Sequence, residues 1–224
     1  MKFKAIAKAS LALGMLATGV ITSNVQSVQA KTEVKQQSES ELKHYYNKPV
    51  LERKNVTGYK YTEKGKDYID VIVDNQYSQI SLVGSDKDKF KDGDNSNIDV
   101  FILREGDSRQ ATNYSIGGVT KTNSQPFIDY IHTPILEIKK GKEEPQSSLY
   151  QIYKEDISLK ELDYRLRERA IKQHGLYSNG LKQGQITMKD GKSHTIDLSQ
   201  KLEKERMGDS IDGRQIQKIL VEMK

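Results

Sequence analysis

The sequence predicts an α+β protein whose first half is built from strands and whose second half arranges strands around one long helix. From Val56 to about Val119, apolar and polar residues alternate with a period of two, which is typical of strands. Between Ser158 and His174 the apolar residues recur at helical spacing instead. Further period-two segments precede and follow this helix, which indicates a sheet that the helix covers.

The strands of the first half predict a small barrel or sandwich. The pattern is clearest where Ile98, Val100 and Ile102 share one strand face and Phe101 and Leu103 share the other. Short strands separated at this spacing by turn residues are typical of small all-β folds. The turn pairs are Lys64-Gly65, Asp74-Asn75, Asp92-Gly93 and Gly106-Asp107.

The long helix carries its own start and stop residues. Ser158 is a good N-cap and Glu161 follows three residues later, which predicts a capping box. Gly175 is placed to end the helix in the left-handed conformation. One face is apolar, with Leu159, Leu162, Leu166 and Ala170. The mixed charges of the opposite face predict a solvated surface formed by Lys160, Glu161, Arg165, Arg167, Glu168, Arg169 and Lys172.

The remaining segments are assigned more simply. We expect a short helix at Glu39–Tyr46, strands at 135–138 and 149–153 with a loop between them, and a short helix at 199–207. Asp190-Gly191 between two β-patterned runs predicts a hairpin. A last strand within 215–223 closes the chain. Residues 86–99 predict a polar turn and no calcium loop, because Phe90 stands where an oxygen ligand is needed.

The N-terminus predicts an exported protein. Lys2, Lys4 and Lys8 precede an uncharged, mostly apolar stretch that is too short to span a membrane, and cleavage is expected near Ala30. Removing these three lysines lowers the net charge of +5 to about +2. A chain so close to neutral does not require a nucleic acid or an anionic membrane as its partner.

Several kinds of site are excluded or unsupported. The chain has no cysteine, so it has neither a thiol nucleophile nor a cysteine zinc site. His194 and Asp197 are three apart in a strand, point to opposite faces and form a poor zinc pair. No cofactor or metal site is predicted, and the catalytic residues are unknown.

The segment from Lys154 to Tyr177 carries a family pattern: Lys154, Ile157, Leu162-Asp163, Arg167 and Leu176-Tyr177 at fixed spacings. It resembles the second signature of staphylococcal and streptococcal superantigens, with Ala170 where that family has leucine. Gly117-Gly118-Val119-Thr120 is similar to their first signature, with Ile116 in place of tyrosine. Over nearly its whole length the chain resembles the staphylococcal superantigen-like proteins.

This resemblance implies the superantigen fold, in which an N-terminal OB-fold barrel is followed by a C-terminal β-grasp domain packed on the long helix. We accordingly predict a signal peptide at 1–30, an OB-fold domain with a short leading helix at 31–128 and a β-grasp domain at 129–224. Both signatures are interpreted as structural. Asp163 and Arg167 stand four apart and can pair on one helix face, and Gly117-Gly118 allow a backbone path that a Cβ would block.

Four functions remain open at this stage. The resemblance favours a secreted toxin that binds host innate-immune or extracellular proteins, including matrix proteins and proteases, without superantigenicity. A true superantigen is the second hypothesis, and the missing cysteine pair speaks against it. The third is binding of sialylated host glycans, although 178–184 and 192–196 lack the aromatics and the loop proline of the glycan binders.

The fourth hypothesis is a secreted protease acting on host matrix proteins or cytokines. Any catalytic triad would use one of the histidines, His44, His132, His174 or His194. The sequence contains neither a Gly-x-Ser-x-Gly elbow nor a His-Glu-x-x-His helix. We therefore expect a binding protein more than an enzyme.

Overall fold

The computed structural model describes residues 37–106, 112–125 and 131–224. The predicted signal peptide at 1–30 and the predicted domain boundary near residue 128 lie outside these residues. Among the residues described, no helix has the length and apolar character needed to cross a membrane.

The helices are α1 (Glu39–Tyr46), α2 (Asp86–Lys89) and α3 (Leu159–His174), with 3₁₀ turns at Lys204–Gly208 and Gly213–Gln215. The strands are β1 (Val50–Glu63), β2 (Lys66–Val73), β3 (Gln76–Ser81), β4 (Gly93–Leu103), β5 (Asn113–Ile116), β6 (Val119–Lys121), β7 (Ile135–Lys140), β8 (Gln146–Leu149), β9 (Asp156–Ser158), β10 (Gly184–Lys189), β11 (Ser193–Asp197), β12 (Ser210–Asp212) and β13 (Lys218–Met223).

The first half forms a curled six-stranded sheet with strand order β5-β3-β2-β1-β4-β6. Neighbouring strands are antiparallel except β3 and β5, which are parallel. The Ser115 hydroxyl also donates to the Leu103 carbonyl at 3.1 Å, which brings the end of β4 to β5 and curls the sheet. The sheet encloses a core of its own, which contains Ile69, Val71, Ile80, Leu82, Phe90, Ile98, Val100, Ile102 and Val119.

Strand β4 is buried on both faces, as its sequence predicts. Ile98, Val100 and Ile102 belong to the core inside the curled sheet. Phe101 and Leu103 point the other way and join the second core, beneath α3. The same strand therefore completes one core and supplies part of the wall of the other.

The second half is a five-stranded sheet with α3 on one face. The strand order is β11-β10-β13-β7-β8, and the central pair β7 and β13 is parallel. Ile219, Val221 and Met223 of β13 are buried toward the helix, as predicted. The predicted hairpin forms between β10 and β11, with Gly191 at φ 93°. A separate two-stranded ribbon pairs β9 with β12.

Helix α3 begins and ends at the predicted residues, but its capping box is incomplete. The Ser158 hydroxyl accepts a hydrogen bond from the Glu161 amide at 3.1 Å, and Gly175 ends the helix at φ 74°. The Glu161 carboxylate is bound to Lys154 and Arg165. A full capping box is found in α1, between Ser38 and Glu41.

Three assignments from the sequence were wrong in their bounds. The strand predicted at 149–153 is β8 (Gln146–Leu149), and residues 150–153 contain only an isolated bridge between His132 and Ile152. The helix predicted at 199–207 is a 3₁₀ turn confined to Lys204–Gly208. The polar turn predicted at 86–99 contains α2 and the start of β4, because Asp86 and Phe90 are buried and tie the segment to the body.

The glycine pair of the first signature has the predicted close backbone approach. Gly117 and Gly118 adopt φ 56° and 83°. A Cβ on Gly117 would lie 2.2 Å from the Met207 carbonyl oxygen, and one on Gly118 would lie 2.6 Å from that of Phe101. Only glycine fits both positions, and the Gly118 amide donates to the Met207 carbonyl at 3.0 Å.

Candidate functional site

Three of the seven charged residues that were predicted to form a solvated face of α3 are buried instead, whereas Arg165, Glu168 and Arg169 are half-buried and Lys172 is exposed. Lys160, Glu161 and Arg167 are between 0 and 3 % exposed. The curled sheet and α1 cover this side of the helix, so its ionic groups connect the two halves of the protein. Each of them must find a partner inside the structure, because an unpaired buried charge is costly.

Arg167 has the largest set of partners. Its guanidinium donates to the Asp163 carboxylate at 2.5 Å, as the four-residue spacing predicted. It also donates to the Asp197 and Leu198 carbonyls at 2.8 and 3.1 Å and to the Tyr177 hydroxyl. The Tyr46 ring of α1 lies 4.5 Å from the guanidinium carbon. This second-signature residue therefore fixes α1, α3 and the end of β11 together.

A second ionic chain crosses from α3 to the curled sheet. Lys154 Nζ lies 2.6 Å from one Glu161 carboxylate oxygen, and Arg165 Nε lies 2.9 Å from the other. The same arginine reaches Glu52 of β1 at 2.7 Å. Its guanidinium also stacks 5.5 Å from the Phe101 ring centroid. The chain Lys154–Glu161–Arg165–Glu52 ties α3 and the segment before it to β1 of the curled sheet.

An open groove of about 500 Å³ lies over this ionic chain. We call it the interdomain groove, and its lining residues are Glu52, Lys54, Tyr150, Gln151, Ile152, Tyr153, Lys154, Ile157, Glu161, Arg165 and Glu168. Tyr153 is 49 % exposed, and its hydroxyl donates to Gln151 at 2.7 Å. Burial raises the pKa of Tyr150 from 10.0 to about 12. The groove presents tyrosine and charges of both signs on fixed walls.

A buried acid and a buried lysine lie at another junction between the two halves. Burial raises the pKa of Asp86 to about 8 and lowers that of Lys160 to about 8. Lys160 Nζ donates to the Ser115 hydroxyl and the Ile116 carbonyl at 2.7 and 2.6 Å. Both Asp86 carboxyl oxygens are buried without a hydrogen-bond partner.

The four histidines lie on separate parts of the chain. His44 is in the last turn of α1, His132 bridges Ile152, and His174 is the last residue of α3. His194 of β11 lies 3.1 Å from Asp190 across the hairpin turn. Within the described ranges, no group of three or more histidine or acidic side chains could hold a metal ion.

The segment considered for glycan binding follows α3. The Ser178 hydroxyl accepts from Lys43 of α1 at 2.8 Å, and the Tyr177 amide donates to the Leu181 carbonyl at 2.7 Å. A shallow pocket beside this loop is lined by Tyr177 and Lys182 together with α1 residues. The loop is therefore held against the N-terminal helix.

Family models match both halves of the protein. The model of the staphylococcal superantigen-like OB-fold domain matches residues 40–123, and that of the staphylococcal and streptococcal toxin β-grasp domain matches residues 134–223. The chain belongs to the staphylococcal superantigen-like family. The curled sheet is thus an OB-fold and the helix-covered sheet a β-grasp fold, which confirms the fold that the sequence resemblance implied.

Relatives and solved structures agree with this assignment. The chain is 82 % identical to Staphylococcal superantigen-like 1 of Staphylococcus aureus strain Newman over the whole length of both proteins, and 46 % identical to Superantigen-like protein 11 of the same strain. The crystal structure of an exotoxin 6 from S. aureus subsp. aureus Mu50 is 99 % identical, with a TM-score of 0.82 over 84 % of this chain and 100 % of that one. The superantigen-like protein SSL5 from Staphylococcus aureus, solved in complex with sialyl Lewis X, is 36 % identical, with a TM-score of 0.79 over 84 % of this chain and 100 % of the chain in that structure.

The fold explains why the sequence pointed to the residues of the second signature and not to those that line the groove. The second-signature residues Lys154, Ile157, Leu162, Asp163, Arg167, Leu176 and Tyr177 are all buried. Glu52 and Tyr153, which line the groove, carry no signal in the sequence because they come together only when the two sheets dock.

Proposed function

We propose that this superantigen-like chain is a secreted virulence factor that binds host innate-immune or extracellular proteins to subvert immunity, without T-cell superantigenicity. The interdomain groove is the observation that carries the proposal. Its walls come from β1 on one side and from α3 and the segment before it on the other, and the ionic chain from Lys154 to Glu52 joins them. A groove already formed in the free protein loses little conformational entropy when a partner binds.

The composition of the groove suits a protein partner. Tyrosine and arginine are the side chains that dominate the binding energy of protein interfaces. Tyr153 is half exposed at the rim, and Arg165 is one-third exposed on its side chain. The charges of both signs can pair with polar groups at the edge of an interface.

The experiment begins with a pull-down from human serum and neutrophil lysate with the mature chain, followed by affinity measurement on each purified candidate. We expect Tyr153→Ser to weaken binding at least about fivefold, because truncating a tyrosine that contributes to an interface costs more than about 1 kcal/mol. Leu149→Ser is the matched control, since Leu149 is 69 % exposed and lies outside the groove. Equal affinities for the two variants would remove the groove from the proposal.

Binding of a sialylated glycan is a second candidate, supported by the complex of SSL5 with sialyl Lewis X. The relevant segment of this chain contains Lys192 in the hairpin turn and His194 on β11, but not the aromatic residues expected of glycan binders. A sialyl-Lewis-x column decides between the two functions. If the protein is retained on the column, is released by free glycan, and is retained equally well as the Tyr153→Ser variant, the glycan site is favoured.

A T-cell proliferation assay tests the claim that the chain is not a superantigen. We expect no proliferation above that given by a heat-denatured sample. Proliferation that depends on class II-bearing cells would contradict the proposal, while leaving the fold unaffected.

A further inference from the structure

The outer face of the OB-fold carries five tyrosines on four neighbouring strands. Ile69, Val71 and Ile80 point into the core of the curled sheet. Because side chains alternate along a strand, the residues between them point outward. The tyrosine platform consists of Tyr59 and Tyr61 of β1, Tyr68 of β2, Tyr77 of β3 and Tyr114 of β5.

Strand register makes this platform continuous. Tyr61 lies opposite Tyr68 and Tyr59 lies opposite Asp70, so the first two strands meet through their side chains. The Tyr61 and Tyr68 rings stack with centroids 5.7 Å apart, and the Tyr59 centroid is 6.5 Å from that of Tyr61. Ile72 extends the platform at one end and is 68 % exposed.

The tyrosines are held in place by a carboxylate at the centre. The Tyr77 hydroxyl donates to Asp70 at 2.7 Å, and the Gln79 amide donates to the Tyr61 hydroxyl at 2.7 Å. Tyr61 in turn lies 3.4 Å from Asp70. These bonds hold the Tyr61 and Tyr77 rings, and the Tyr59 and Tyr68 rings pack beside Tyr61. The exposed fraction of Tyr59, 55 %, leaves one ring open for contact.

The charge of this face is opposite to that of the chain without its predicted signal peptide, for which the three lysines removed from +5 leave about +2. Asp70 lies at its centre, and Asp94 of β4 lies directly opposite Tyr59. The lysine in the middle of β1, Lys60, turns inward and donates to the Lys87 and Phe90 carbonyls at 2.6 and 2.9 Å. Lys66 is at the hairpin end of β2. Asp94 is therefore exposed and Asp70 is half-buried beneath two tyrosine hydroxyls, with no lysine beside them on β1; Lys66 is the exposed lysine of β2 on this face.

We propose that the tyrosine platform binds an extended, arginine- or lysine-rich segment of a partner protein. Cationic side chains stack on the faces of tyrosine rings, and Asp70 and Asp94 supply the opposite charge. An open sheet face accommodates an extended peptide that lies across the strands. The same carboxylates repel anionic partners such as nucleic acids and sialylated glycans. This surface shares no residue with the interdomain groove.

The test uses the whole protein and a short fluorescein-labelled peptide in which arginines alternate with glycine and serine. A second peptide has glutamine in place of each arginine. We expect the arginine peptide to raise fluorescence anisotropy, and the glutamine peptide to leave it unchanged. Raising the salt concentration weakens the binding, because the contacts are partly ionic and exposed.

Variants of the platform separate ring stacking from apolar contact. Tyr59→Leu keeps an apolar side chain and is expected to weaken binding roughly two- to fivefold, the range of an exposed cation–π contact. Tyr59→Phe keeps the ring and is expected to match the unmodified protein. Asp70→Asn is expected to weaken binding on the order of fivefold at low salt, with a smaller effect at high salt.

The controls give each outcome a meaning. Tyr153→Leu, in the interdomain groove, is expected to bind the peptide as tightly as the unmodified protein does. The proposal is overturned if Tyr59→Leu and Tyr59→Phe behave alike, if the glutamine peptide binds equally well, or if neither peptide binds. It is also overturned if an uncharged oligosaccharide displaces the arginine peptide. Far-UV circular dichroism confirms that each variant is folded, and a misfolded Asp70→Asn leaves the comparison at Tyr59 intact.

Discussion

Replacing Arg167 with methionine should destabilise the protein more than any change at an exposed charge. The guanidinium is fully buried and has four kinds of partner: the Asp163 carboxylate, the Asp197 and Leu198 carbonyls, a tyrosine hydroxyl and the Tyr46 ring. Methionine keeps much of the stem volume of arginine, so the variant removes the charge and its hydrogen bonds more than it removes packing.

The magnitude follows from what the variant leaves behind. Asp163 is 2 % exposed and would keep only the Tyr46 hydroxyl, at 2.6 Å, of the two side-chain hydrogen bonds described for it. Removing one partner of a buried ion pair costs about 3–5 kcal/mol, because the other charge stays buried and unpaired. We expect a loss of about 4 kcal/mol in the free energy of unfolding. A domain of ordinary stability has about 5–15 kcal/mol in total.

Urea unfolding followed by circular dichroism measures this loss, with tyrosine fluorescence as a second probe because the chain has no tryptophan. Arg169→Met is the control on the same helix, since Arg169 is only partly buried and bonds Gln173 and Ser148 at 3.2 Å. A double variant with Asp163→Leu should recover part of the loss. A loss below about 1 kcal/mol for Arg167→Met, or strict additivity in the double variant, would refute the argument.

Three further changes test other parts of the structure by the same unfolding measurement. Gly117→Ala should lower the free energy of unfolding by more than about 3 kcal/mol, because its Cβ would lie 2.2 Å from the Met207 carbonyl oxygen. Gly65→Ala is the control, since Gly65 also has a positive φ but lies in open space, and it should lower the free energy of unfolding by about 1–2 kcal/mol. Similar losses for the two would contradict the close approach. Ser158→Ala should cost about 1 kcal/mol through loss of the N-cap, and no loss would show that the cap is dispensable. Burial raises the pKa of Asp86 from 3.8 to about 8. Between about pH 4 and 8 the folded protein therefore keeps a proton on this carboxyl that the unfolded chain has released, so the stability of the folded state falls as the pH rises. Asp86→Asn should flatten this decline and stabilise the protein by on the order of 3 kcal/mol at pH 7. Parallel curves of stability against pH for the unmodified protein and the variant would refute this role of Asp86.

Much of the fold could be predicted from local patterns in the sequence. The two apolar faces of β4 were assigned correctly, because alternation along a strand depends only on backbone geometry. The bounds of the helix from Leu159 to His174 were predicted from Ser158 and Gly175. The Ser158 side chain caps the first turn and the left-handed conformation of Gly175 ends the last one, so both effects are local. The pairing of Asp163 with Arg167 also follows from spacing alone.

The candidate sites were not visible in the same way. The tyrosine platform uses residues from β1, β2, β3 and β5, and its members become neighbours only through strand register. In the sequence, each tyrosine simply occupies a solvent-facing position of a strand in which apolar and polar residues alternate. The interdomain groove likewise combines β1 with the segment before α3, which are about a hundred residues apart along the chain.

The sequence by itself determined where strands and the long helix form, which residues cap the helix and to which family the chain belongs. Only the tertiary structure decided that Lys160, Glu161 and Arg167 of α3 are buried and that β8 lies at Gln146–Leu149. The physical reason is that propensity, capping and alternation act over a few residues and are written in consecutive positions. Burial of a charge such as Arg167 depends on what docks against it, and its partners come from α1 and the end of β11.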